Sequence, residues 1–76
     1  MNQSQVRELI LEKLRPCQTE DDFGKVIYDD LGLEFMDRHD LEDDEMILDI
    51  ASKLMEKHGP EFETNVYAKL DELNGF

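Results

Sequence analysis

A single cysteine, Cys17, stands in the chain, so an intramolecular disulfide is excluded and a reducing cytoplasm is the expected compartment. Alone, it reads as a small apolar filler rather than a reactive thiol. No apolar run approaches the ~20 residues of a membrane span, and no signal-peptide pattern opens the chain. Alternating strand patterns, internal repeats and Pro/Gly-rich linkers are missing too. So are glycine-rich phosphate loops. Ser4, beside an end expected to fray, and Ser52, inside a helical stretch, have no base paired with them. His39 and His58 read as surface residues. Catalysis is therefore not expected, and no cofactor is called for. Bases are scarce: 8 Lys and Arg stand against 20 Asp and Glu, a net charge of −12. Such a field repels DNA, RNA and anionic membranes and attracts basic protein surfaces.

The charge is unevenly placed. Residues 1–17 carry +1, residues 18–49 carry −11 and residues 50–76 carry −2. What remains is apolar and helical in period. Val6, Leu9, Ile10, Leu14 and Cys17 mark a first amphipathic helix stopped at Pro16. Thr19 with Asp22 has the spacing of a capping box. Phe23, Val26, Ile27 and Leu31 follow as a second helix, weakened by Gly24 and ending at Gly32. Leu33, Phe35 and Met36 break the pattern and are expected to dock a loop onto the core. The strongest stripe is Met46, Ile47, Ile50, Ala51, Leu54 and Met55, ending near Gly59. Pro60 suits the first turn of a last helix with Phe62, Val66, Leu70 and Leu73 inward, closed by Gly75. The pattern predicts one all-α domain over residues 1–76, a small bundle of three to four helices. At this length only about 60% of the unfolded surface is buried, so stability should be marginal.

The densest stretch is "MDRHDLEDDEMILD", Met36 to Asp49, with seven carboxylates around one arginine and one histidine. A calcium loop of the EF-hand kind needs glycine at its sixth position and glutamate at its twelfth. Counted from Asp40, those positions are Glu45 and Ala51. Zinc requires several imidazole or thiolate ligands, and His39, His58 and Cys17 lie at unrelated spacings. No metal site is expected. Capping accounts for more of the residues. Asp40 would be the N-cap of a helix, and Glu42, Asp43, Asp44 and Glu45 would fill its first turn, where the dipole favours negative charge. Four consecutive acids exceed what capping requires. The excess reads either as a solubilising face or as a binding surface.

Several segments are similar to acyl carrier proteins, small acidic four-helix proteins that carry acyl chains on a phosphopantetheine arm. "VRELILEKL" resembles their first helix, "DDLG" at Asp29–Gly32 their "DLG", and "VYAKLDELNG" at Val66–Gly75 their last helix. "HDLEDDEMILDIASKLMEKHG" can be laid on the family pattern "DSLDxVELxxxLEExFG" if about four residues are inserted before His39. The resemblance implies an acidic recognition helix, here roughly Asp40 to Lys57, that meets Arg and Lys patches on partners. It also implies a serine that accepts the arm. With the insertion that position is Asp40, and without it Phe35; neither can form the phosphodiester. A narrower resemblance joins "LRPCQTEDDFGKVI", Leu14–Ile27, to the Hha/YmoA family of nucleoid-protein modulators, whose later "ADHRLAEL" motif has no counterpart here.

Together these point to a non-enzymatic acidic interaction module, carrier-like but without the prosthetic-group serine. It would dock a basic protein through Asp37, Asp40, Glu42, Asp43, Asp44, Glu45 and Asp49, with Met46 either an apolar anchor or plain core. The alternative is a nucleic-acid-mimicking inhibitor or immunity-type protein blocking a basic binding site. Mimicry calls for carboxylates spread at phosphate-like intervals along one face, whereas docking of the carrier kind concentrates them on one helix.

Overall fold

The computed structural model describes residues 2–75. Every regular element among them is helical. In chain order these are α1 (Gln3–Leu14), α2 (Glu20–Lys25) running on through a π-helical turn (Val26–Asp30), and α3 (Leu33–Arg38). Then come α4 (Glu45–Met55), closed by a 3-10 turn (Glu56–His58), and α5 (Pro60–Leu73). The chain is an all-α bundle, as its periodicity predicts, with one short helix, α3, where a docked loop is expected.

Caps set the register. At α1, Asn2 Oδ1 accepts the Gln5 N–H at 2.9 Å and Gln5 Oε1 accepts the Asn2 N–H at 2.9 Å. This reciprocal box orders a turn, Ser4 included, that the sequence alone leaves frayed. At α2, Thr19 Oγ1 accepts the Asp22 N–H at 3.1 Å. The Asp22 carboxylate reaches back to the Gln18 N–H at 3.4 Å, one residue before the position a capping box uses. Gly24 does not break this helix. A Cβ there would meet Lys69 Cγ at 2.8 Å, so the glycine lets α5 lie close. Lys69 Nζ then pairs with Asp21 Oδ1 at 3.6 Å.

The second helix ends by widening. Leu31 N–H donates to the Val26 carbonyl at 3.0 Å, an i→i+5 bond. Gly32 follows with the Tyr28 carbonyl oxygen pressed against it, where any Cβ would collide. The third helix then turns Phe35 into the core and leaves Leu33 78% exposed. Two residues along a helix are about 200° apart, so a buried Phe35 carries Leu33 away from the core. The expectation that Leu33 docks inward is thereby corrected; Phe35 and the half-buried Met36 do so.

The core forms where α1 packs on α4 and α2 on α5, with α4 and α5 in contact between them. Val6, Ile10 and Leu14 of α1 meet Ile47, Ile50, Ala51 and Met55 of α4 as one buried cluster with Phe23, Ile27, Val66 and Leu70. Each large side chain fully removed from water there contributes about 1.5–3 kcal/mol. Cys17 belongs to this cluster, its Sγ 3.7 Å from the Lys13 carbonyl oxygen. Burial pushes its thiol pKa up, and the negative charges of Asp22 and Asp30 push it further. The radius of gyration is 11.8 Å, against about 11.4 Å for a compact chain of this length. Among the described residues, no helix is long and apolar enough to cross a membrane.

Candidate interaction surface

The acidic stretch does not lie on one helix. Asp37 sits on α3; Asp40, Glu42, Asp43 and Asp44 occupy the α3–α4 connection; Glu45, Met46 and Asp49 belong to α4. The decisive residue is Asp40, which has φ +56°, a left-handed conformation. The Leu41 N–H donates to the Met36 carbonyl at 2.8 Å and the Asp40 N–H to the Asp37 carbonyl at 3.3 Å. These are the paired 6→1 and 5→2 bonds of a left-handed helix C-terminus, with Asp40 in the position glycine usually takes. Leu41 and Met36 share one depression, matching the apolar contact that accompanies such an end. Asp40 therefore terminates α3 rather than capping α4. The expected helix from Asp40 begins instead at Glu45.

Capping at α4 falls to another acid. Asp43 Oδ1 accepts the Glu45 N–H at 3.0 Å. Asp44, at the N-cap position, makes no side-chain cap bond. Of the four acids expected in the first turn only Glu45 stands there; the stretch serves the helix start through Asp43, two places before the helix.

Tertiary folding sorts the carboxylates. Asp40, Glu42, Asp43, Glu45 and Asp49 line one shallow depression of about 540 Å³, together with Gln3, Arg7, Leu41 and Met46. Asp37 joins Asp40 and Glu42 in an adjoining depression. Asp44 lines neither. Met46 is half-buried, packed on the core while reaching this surface. Asp49 is paired along α4 with Lys53 at 3.3 Å, and Arg38 is drawn to Glu34 at 3.5 Å, both in exposed i,i+4 geometry. Such pairs are worth little, so the local excess of negative charge persists. Among the described residues, no three His, Cys, Asp or Glu side chains gather as a metal-ligand set would.

A larger groove of about 620 Å³ is lined by the π-turn, Leu33 and Met36 of α3, Leu48 of α4 and the end of α5. Asp44 opens onto it. One wall is Tyr67, whose hydroxyl lies 2.8 Å from Ser52 Oγ. Ser52 Oγ also donates to Glu63 Oε1 at 3.0 Å. The partners of Ser52 are thus residues 11 and 15 positions away, which no local pattern reveals. The chain ties α4 to α5 and fixes the Tyr67 ring. His58 stacks on Phe62 with centroids 4.2 Å apart, and His39 tilts against Phe35 at 4.5 Å. His58 is exposed and His39 half-buried; both pack on aromatic rings. In comparisons with family models, with curated proteins and with solved structures, nothing matches this chain.

Proposed function

We propose that this chain is a non-enzymatic interaction module that docks a basic protein surface through the acidic face around the α3–α4 connection. One observation carries the reading. Five carboxylates line one depression together with Leu41, the half-buried Met46 and a single cation, Arg7, so cationic side chains of a partner would find countercharge beside a small apolar contact. Individual exposed ion pairs contribute about 0–1 kcal/mol, so the complex would be steered by charge and weakened by salt. In this reading the docking face is not the single acidic helix of the carrier kind, since only Glu45 and Asp49 of these acids stand on α4, and the molecule lacks carrier chemistry as well. Phe35 is buried in the core and Asp40 stands at a helix end, and neither offers a hydroxyl for a phosphopantetheine arm.

The test begins with affinity capture and continues with the captured protein in purified form. Glu42→Gln, Asp43→Asn and Glu45→Gln combined should weaken that complex and flatten its salt dependence. A control removing three charges elsewhere, Glu8→Gln, Glu12→Gln and Glu61→Gln, should leave it close to wild type. Equal losses in the two variants would reduce the acidic face to a contribution to net charge. Competition by duplex DNA or RNA for the same site on the partner would favour the mimicry reading. Incubation with a phosphopantetheinyl transferase and coenzyme A should leave the intact mass unchanged.

A further inference from the structure

We propose that the apolar groove between the π-turn, α3 and the end of α5 receives an amphipathic helix of a partner protein whose flanks are basic. This site is separate from the acidic depression and does not rest on that depression being an interface.

The groove carries an unusual share of the exposed apolar surface. Tyr28 is 41% and Leu33 78% exposed, the large hydrophobic side chains left most open among the described residues, and both line it. Leu48 and Leu70 continue the apolar lining inward. Two local features place these side chains. The π-turn widens the helix that carries Tyr28, and such turns recur at functional sites. Gly32, held against the Tyr28 carbonyl, redirects the chain so that Leu33 starts α3 facing outward. The Ser52–Tyr67 hydrogen bond holds the opposite wall.

Charge and backbone together select the occupant. Asp44 and Asp71 line it and are exposed, and among the described residues no Lys or Arg lines the groove. Asp29 and Asp30 are exposed on the π-turn beside it. A free fatty acid or an anionic membrane would bring negative charge to these carboxylates. A second copy of the chain would bring another net −12. A β-strand needs an open sheet edge to pair with, and the described residues are helical wherever they are regular. A groove between helices instead suits a helix presenting apolar residues at i, i+3 or i+4, and i+7, with Lys or Arg beside them to meet Asp44 and Asp71.

The probe is a synthetic helix of about 18 residues, five turns long, with leucines on one face and lysines on the other. It is titrated into the isotope-labelled full chain by NMR. Saturable amide shifts should appear at Tyr28–Leu33, Leu48 and Tyr67–Asp71. Leu33→Ser and Tyr28→Ser, both at exposed positions and checked for folding by their melts, should each weaken binding about tenfold, as expected for losing a buried anchor. A lysine peptide with its leucines replaced by serine should leave the groove resonances unmoved. Any shifts it causes at residues 40–43, 45, 46 and 49 report on the acidic depression separately. Absence of groove shifts with the amphipathic peptide would overturn the proposal, as would equal binding by a glutamate version of it. Sedimentation showing a dimer that Leu33→Ser dissolves would assign the groove to a second copy and equally overturn it.

Discussion

Replacing Asp40 by glycine, serine and alanine tests the reading of the α3–α4 connection most directly, because the two roles this residue could play predict opposite rankings. All three variants remove the same charge from the acidic stretch, so the differences among them report on backbone and capping. With φ at +56°, Asp40 occupies a region that costs a side chain bearing a Cβ about 1–2 kcal/mol. Glycine escapes that cost but returns about 0.4–1 kcal/mol through the greater freedom of the unfolded chain. The net favours glycine over serine or alanine by about 0.5–1 kcal/mol. At about 4–8 °C per kcal/mol for a domain of this size, the melting temperature should differ by roughly 2–8 °C. The expected order is glycine above serine and alanine, with the last two similar. Were Asp40 the N-cap of a helix running to Lys57, serine would replace it well, glycine would follow and alanine would be worst. Thermal melts by circular dichroism at one salt concentration decide between these orders. Serine ranking above glycine would refute the left-handed helix end, and with it the division of the acids between two surfaces.

Other perturbations probe the remaining parts of the fold. Gly32→Ala forces a Cβ into the Tyr28 carbonyl oxygen and should destabilise by about 1–3 kcal/mol; denaturant unfolding with an unchanged midpoint would show that the contact relaxes freely. Raising salt from about 10 to about 150 mM shortens the screening length from about 30 to about 8 Å, against a longest molecular dimension of 34 Å. The melting temperature should rise accordingly, and coincident melts would mean the crowded carboxylates cost little. Cys17, with its pKa raised above the usual 9.0 by burial and by Asp22 and Asp30, stays a protonated thiol near neutral pH. Alkylation should therefore be much slower in the folded than in the unfolded chain. Because the folded state holds this proton more tightly, ionising the thiol penalises folding only as pH rises above the unfolded value. Equal labelling rates for the folded and unfolded chains at pH 7 would contradict its burial.

The sequence by itself determined the helical class, most helix ends and the inward stripes. Val6, Ile10 and Leu14 on α1 and Val66 and Leu70 on α5 were legible because a fixed 3.6-residue period converts spacing directly into facing. Thr19, Gly59 and Pro60 announced boundaries through backbone chemistry that acts within a few residues. The accumulation of charge between residues 18 and 49 was equally plain.

Tertiary structure decided what those local rules leave open. Whether Leu33–Arg38 is a loop or a helix turned on burying Phe35, and that choice placed Asp40 at the end of one helix instead of the start of the next. The sides faced by Asp43, Asp44 and Glu45 then followed from how α4 rests on α1 and α5, so a run of similar acids was divided between a depression and a groove. The groove joins Tyr28 to Tyr67 and Leu70 across the bundle, and the Ser52–Glu63–Tyr67 bonds cross between two helices. Periodicity describes angles within a single helix; the distances between helices are set by packing of the whole core, which no window of neighbouring residues contains.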